Sequence, residues 1–335
     1  MKYSQHNPEP LVLKEGYFID KYYNNYEDME DSAKNWKYNC LFQLKPNALL
    51  GHNRILQLSF MQIGYVSRSG GLMHDTYSAI DCISVAIIEN CEGKACFHRT
   101  KLESGDIIFF DNLHPYNFVI NSHIDLIVIN IKISHLGLLN EKISKIFNHT
   151  IKDIDGAFSK FLNNTWKQFT NNSENKHIKD RVQEVEKKIM SIIKALVDSK
   201  EYKVPKLNKG EEVALKIRDQ IYTHMDGKVD IYSLAKQYKV SEGTLQNSFK
   251  SLFGFTPKYF LRQMKLNLVY RDLKQANYKE ETVLNIARRW GFMHMGHFSN
   301  YYTKLFNENP SQTLKKSYLD ENIISNECVE RKEEI

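Results

Sequence analysis

A chain of 335 residues with 42% hydrophobic and 26% charged side chains holds enough apolar material for about two ordinary domains, which excludes a disordered polar tail. No run of eighteen or more apolar residues occurs and no hydrophobic stretch follows Met1, so neither a membrane span nor a secretory leader is indicated, and the cytoplasm is the default compartment. The net charge of +6 is unevenly spread: residues 208–317 carry 18 Lys and Arg against 10 Asp and Glu, while the remainder carries 28 against 30, so the basic segment is the part suited to a polyanion.

In chain order, residues 1–138 read as a β-rich sensing domain. Ile55–Phe60, Ile83–Ile88, Asp106–Phe110 and Leu126–Ile131 are short runs rich in β-branched residues, separated by turn sequences such as Ser69-Gly70-Gly71 and Glu103-Ser104-Gly105-Asp106. Many short strands predict a barrel or sandwich. The cysteines Cys40, Cys82, Cys91, Cys96 and Cys328 form no Cys-x-x-Cys pair and read as reduced thiols, not as a disulfide framework or zinc ribbon.

Residues 139–202 form a helical extension. Ile178, Val182, Val185, Ile189, Ile192 and Leu196 recur at steps of four and three, which makes one apolar stripe. Such a stripe serves either as a coiled-coil homodimer seam or as a face packed on its own domain. Residues 203–210, punctuated by Pro205 and Gly210, read as a linker, and 318–335 as a polar tail.

The strongest signal lies in residues 211–317, where a segment starting at Asp230 repeats after about 52 residues at Thr282. Ile231, Leu234, Ala235 and Val240 fall on Val283, Ile286, Ala287 and Phe292. After one added residue, Leu245, Phe249 and Phe253 fall on Phe298, Tyr302 and Phe306, then Gly254 on Asn307 and Pro257 on Pro310. Each copy predicts a short helix behind an N-cap, a tight turn and a longer helix with a free polar side, which is a helix-turn-helix. The second helices span Glu242–Leu252 and Met295–Phe306. Between the copies, Phe260, Leu261, Met264, Leu268 and Leu273 predict a connecting helix over Lys258–Lys274. Two reading helices spaced by such a connector suit consecutive turns of the major groove.

The run Ile286-Ala287-Arg288-Arg289-Trp290-Gly291-Phe292, with His297-Phe298-Ser299, Phe306 and Pro310-Ser311, resembles the signature of AraC/XylS-type transcription regulators, over residues 210–316. Thr244–Asn247 with Trp290–Gly296 looks most like the ethanolamine-utilisation regulator subgroup, which would imply ethanolamine or a cobalamin as effector. The resemblance implies an α+β two-domain protein. Its N-terminal jelly-roll or cupin-like domain would bind a small-molecule effector or mediate dimerisation. Its all-α C-terminal domain would bind promoter double-stranded DNA and recruit RNA polymerase, as an activator.

On the first reading helix, Glu242, Gly243, Thr244, Gln246, Asn247 and Lys250 lie away from the Leu245 and Phe249 face, and Gln246 or Asn247 can pair bidentately with adenine. On the second, Met295, Gly296, His297, Asn300 and Lys304 are the candidates on the comparable face, with His294 just before them. Arg262, Arg271, Arg288 and Arg289 read as phosphate contacts or as structural pairs. Gly243 and Gly296 offer no side chain, which moves weight from base reading to phosphates and DNA shape and leaves a ligand-independent architectural DNA binder as the alternative. His294 and His297 lack a third ligand, and no His-x-His occurs around His52, His74, His98, His114 and His123, so neither metal nor cofactor is expected. No nucleophile elbow, phosphate loop or dinucleotide fingerprint occurs, so no enzyme is expected.

Overall fold

The computed structural model describes residues 18–24, 29, 38–46, 50–113, 116–147, 149–171, 178–203, 206–224 and 229–316. The chain divides into two compact units, the first drawn from 1–41, 48–208 and 251–254, the second from 42–47, 209–250 and 255–335.

The strands are β1 (Phe18–Tyr23), β2 (Tyr38–Gln43), β3 (Leu50–Gln57), β4 (Met61–Ser69), β5 (Leu72–Thr76), β6 (Cys82–Cys91), β7 (Ala95–Phe97), β8 (Thr100–Leu102), β9 (Asp106–Phe110), β10 (Tyr116–Ile120), β11 (Ile124–Lys132) and β12 (Ile151–Lys152), all in the first unit except the last two residues of β2. They form a seven-stranded sheet ordered β1-β3-β4-β11-β6-β9-β12 and a five-stranded sheet ordered β2-β5-β10-β7-β8. The helices of the first unit are α1 (Leu139–Ser144), α2 (Ala157–Asn171) and α3 (Ile178–Asp198).

Side-chain alternation sorts this unit into layers. Ile63, Tyr65, Val85, Ile87, Ile107, Phe109, Ile127 and Ile129 join a core with Phe158, Leu162 and Trp166 of α2 and Val182, Val185 and Ile189 of α3. Their neighbours Val66, Ala86, Ile88, Ile108, Phe110, Leu126 and Val128 join a second core with Phe97, Tyr116 and Phe118 of the other sheet. A sheet buried on both faces explains why β6, β9 and β11 read as continuous apolar runs instead of alternating ones.

One sequence expectation needs correction here. The run Ile55–Phe60 is not one strand: β3 ends at Gln57, and Leu58 N donates to Met61 O at 2.9 Å to close a turn before β4. Within residues 139–202, α2 and α3 complete the first core and β12 pairs with β9. Of the two uses left open for the stripe, the structure shows packing on its own domain, with Val182, Val185 and Ile189 buried in that core. Glu186 on α3 also accepts from Phe60 N at 2.9 Å and from Ser59 Oγ, fastening the helix to the β3–β4 turn. Trp36, His114 and the tail 318–335 lie outside the described residues.

Between the sheets lies a cavity of about 40 Å³ lined by Arg68, His74, Ser84 and Asn130 with Phe97, Phe110 and Phe118. Tyr65 and Phe109 face the helices, whereas Phe110, Tyr116 and Phe118 belong to the intersheet core. His74 is fully enclosed, and burial together with the Arg68 charge holds its imidazole well below the ordinary histidine range, so it is neutral at pH 7.

The second unit is helical: α4 (Lys209–Thr223), α5 (Ile231–Gln237), α6 (Glu242–Phe253), α7 (Pro257–Gln275), α8 (Val283–Arg289) and α9 (Met295–Phe306), followed by a short helix over 310–316. Helix α4 lies inside the span read as DNA-binding but carries no part of the repeat. At 19 residues, α7 is about 28 Å long. It is buried on most sides, through Phe260, Met264, Leu266, Leu268, Val269 and Leu273, and serves as the spine of the unit.

Candidate nucleic-acid interface

Each half of the unit builds the same motif by the same local means. Asp230 caps α5, accepting from Tyr232 N at 3.0 Å, Ser233 N at 3.3 Å and Ser233 Oγ at 2.6 Å. Those hydrogen bonds hold its carboxyl below the ordinary aspartate range. Thr282 caps α8, accepting from Asn285 N at 3.2 Å.

The turns share backbone conformation and their closing hydrogen bond. Tyr238 and Trp290 end the short helices with φ/ψ of −84/4° and −90/9°. Lys239 and Gly291 then take left-handed conformations, φ 56° and 83°. Val240 N reaches Ala235 O and Phe292 N reaches Ala287 O, both at 3.0 Å. The added residue of the second copy falls between Phe292 and His294, just before the reading helix begins. Leu245 N to Ser241 O and Phe298 N to His294 O, both 3.0 Å, then start the two long helices in equivalent phase. Gly254 at φ 74° and Asn307 at φ 57° mark their ends, as the sequence pairing of these residues implied.

Burial separates core from surface on both reading helices. Leu245, Phe249, Leu252 and Phe253 are buried on α6, and Phe298, Tyr302 and Leu305 on α9. Glu242, Gly243, Thr244, Gln246, Asn247 and Lys250 are all exposed. So are His294, Gly296, His297, Asn300 and Lys304, with Met295 half-buried. Ser241 caps α6 by accepting from Thr244 N at 3.1 Å, while His294 makes no side-chain cap at α9. The rings of His297 and Tyr301 stack at 6.3 Å.

The arginines divide differently from the polar readers. Arg289 bonds Asp272 at 3.2 Å and Glu281 at 2.6 Å, and Trp290 Nε1 donates to the same Asp272 carboxylate at 2.8 Å. Arg262 lies over the ring of Tyr301 at 4.1 Å and that of Tyr259 at 5.2 Å. Arg271 lies over Phe42 at 4.9 Å. Each of these three is engaged by neighbours within the protein, while Arg288 is exposed, as is Arg289 apart from its carboxylate partners. What remains as cationic surface on the reading helices is Lys250 and Lys304.

Sequence reasoning missed the polar interior of α7. Gln263 and Asn267 are 5% and 6% exposed, and an amide pair four residues apart in an otherwise apolar helix was the available signal. Among the described residues no group of three or more His, Cys, Asp or Glu side chains converges as a metal site, and no helix is long and apolar enough to cross a membrane.

Residues 234–316 match the family model described as a helix-turn-helix domain. Over 97 residues the chain is 32% identical to the probable thc operon regulatory protein of Rhodococcus erythropolis, covering 29% of each chain. Over 109 residues it is 28% identical to the XylDLEGF operon transcriptional activator of Pseudomonas putida, covering 32% of this chain and 34% of that one. A solved structure, that of the AraC-like transcriptional activator CuxR, aligns with 81% of this chain and all of its own at 13% identity and a TM-score of 0.38.

Residues 234–316 are thus a helix-turn-helix domain, similar in sequence to the corresponding part of transcription regulators. The chain spans about a third of the length of those it matches.

Proposed function

We propose that the whole chain is a sequence-specific transcription regulator that binds promoter DNA through both reading helices and acts as an activator by recruiting RNA polymerase. The observation that carries this reading is the double set of exposed polar side chains, Gln246 and Asn247 on α6 and His297 and Asn300 on α9, each standing on a well-packed apolar face. Such side chains read base edges in the major groove, and Lys250 and Lys304 supply the phosphate contacts. The protein would work in the cytoplasm, where its DNA lies.

The N-terminal unit is read as a cupin-like effector domain, with the cavity beside Arg68, His74, Ser84 and Asn130 as the effector site. At about 40 Å³ that cavity suits a molecule of a few heavy atoms. Ethanolamine, implied by the subgroup resemblance, is within that range, whereas a cobalamin is far too large for it. An effector must also bind one regulatory state better than the other. Unchanged thermal stability of the full chain with ethanolamine would remove it from consideration.

The deciding measurement is fluorescence-anisotropy binding of the full chain to DNA upstream of its own and neighbouring genes, against scrambled competitor at several salt concentrations. A preference of about a thousandfold or more, with affinity falling steeply in salt, is the expected result. Salt-sensitive binding without preference would replace this reading by an architectural DNA binder, and absence of binding would end both. Molecular mass measured on the same sample gives the oligomeric state.

A further inference from the structure

The DNA-binding unit is discontinuous in sequence: residues 42–47 belong to it together with the C-terminal helices. Phe42 and Leu44 have no exposed surface and Gln43 is 7% exposed, so this segment is interior to the unit. Phe42 lies edge-on to Tyr222 of α4, ring centroids 6.2 Å apart, and under the Arg271 guanidinium of α7.

The polar bonds of the segment are more specific than its apolar ones. Gln43 N donates to Asn267 Oδ1 at 2.8 Å, and Asn267 Nδ2 donates back to Gln43 O at 2.8 Å, so the amide of one side chain engages the backbone as a neighbouring strand would. The second Asn267 proton goes to Gln263 O at 2.7 Å. Tyr259 OH donates to Leu44 O at 2.8 Å. The Gln43 side chain then turns to the second reading helix, with Nε2 donating to Leu305 O at 2.8 Å and to Lys45 O at 2.9 Å.

Leu305 is in the last turn of α9, where carbonyl groups have no intrahelical partner and must find one elsewhere. Here the partner comes from a residue more than 260 positions away. With its backbone on α7 and its side chain on the end of α9, Gln43 ties the second reading helix to the spine that also carries the first motif.

We propose that Gln43 is a positioning residue for DNA recognition, which fixes α9 against α7 and so sets the presentation of the second reading helix relative to the first. Gln43 touches no DNA in this role. The inference rests on the DNA-binding reading above, and its test is chosen to fail separately from it.

The test uses the full chain in two variants, Gln43→Glu, which keeps the shape but replaces the donor by a carboxylate, and Gln43→Met, which is neutral and donates nothing. The probe is a duplex recovered from a randomised pool by the wild-type chain, together with versions in which either half is scrambled. Both variants should bind the intact duplex about tenfold more weakly, in line with loss of one buried hydrogen bond, and bind the duplex retaining only the first half as wild type does.

Amide hydrogen exchange without DNA gives the second readout. Residues 295–306 should exchange faster in both variants while 242–253 stay unchanged. Wild-type affinity for the intact duplex with unchanged exchange overturns the proposal. So does equally faster exchange in both reading helices, since Gln43 would then be only a piece of the core. If the wild-type chain recovers no preferred duplex, the DNA-binding reading fails, while exchange still decides whether Gln43 fixes α9.

Discussion

The two helix-turn-helix copies keep apolar character where they are buried, whereas their exposed positions mix identical pairs, Gly243 with Gly296 and Asn247 with Asn300, with chemically different ones. Ala235 and Ala287 accept equivalent turn bonds, and Leu245 and Phe298 begin the apolar faces of equivalent helices. On the surface, Gln246, Asn247 and Lys250 of the first copy correspond to Ser299, Asn300 and Thr303, and their turns use Lys239 and Gly291. The contrast separates constraints: packing and backbone geometry hold the motif, while the exposed positions are free to differ and can read different bases.

The sharpest way to break the correspondence is to empty one core. Phe298→Ala should cost about 3–5 kcal/mol, a large part of a domain's stability, and should melt the second copy first in calorimetry or hydrogen exchange. Equal loss of both copies would mean that they fold as one cooperative body.

The next largest effect divides readers from phosphate contacts. Asn247→Ala should cost about 1–3 kcal/mol at the preferred DNA site and relax preference at one base pair. Lys250→Ala and Lys304→Ala should weaken binding to all sequences alike and each lower the salt slope by about 1. Arg289→Ala belongs with neither, because its carboxylate partners make its loss a stability effect, read by thermal melting and not by salt dependence.

The turns give a smaller, signed comparison. Gly291→Ala places a Cβ on a left-handed residue and should destabilise by about 1–2 kcal/mol, whereas Lys239→Gly relieves the same conformation in the first copy and should stabilise. The added Cβ at Gly291 would meet only the end of the flexible Lys265 side chain at 3.4 Å, so the cost is backbone strain and not a clash.

The smallest effect concerns acid. Asp230 has a folded-state pKa below the unfolded value of 3.8, so its contribution is complete above that pH and is lost as pH falls through the folded value. Thr282 does not titrate. Residue-resolved exchange near and below pH 3.8 should therefore loosen α5 before α8, and Asp230→Asn should remove the difference.

Much of the DNA-binding region was legible because its determinants are local. Caps, helical spacing of apolar residues and positive-φ positions act within a few residues, so the repeat disclosed the two motifs, their turns and the exposed faces of Gln246–Asn247 and His297–Asn300. The arginines were not legible in the same way. Whether Arg289 meets phosphate or Asp272 depends on a carboxylate 17 positions away. The strands were visible as apolar runs, but the turn at Leu58–Phe60 was not, since buried turn residues such as Leu58 look like strand.

By itself the sequence determined a β-rich region followed by helices, two helix-turn-helix copies and the basic bias of the C-terminal part, all of which follow from short-range preference and composition. Only the tertiary structure decided that the α3 stripe is spent on its own sheet, that Arg262, Arg271 and Arg289 are held by neighbours, and that Gln43 lies within the DNA-binding unit. Those outcomes rest on pairings between residues distant in the chain. No periodicity records such pairings, because burial of a stripe or satisfaction of a helix-end carbonyl constrains the kind of partner required and not its position in the sequence.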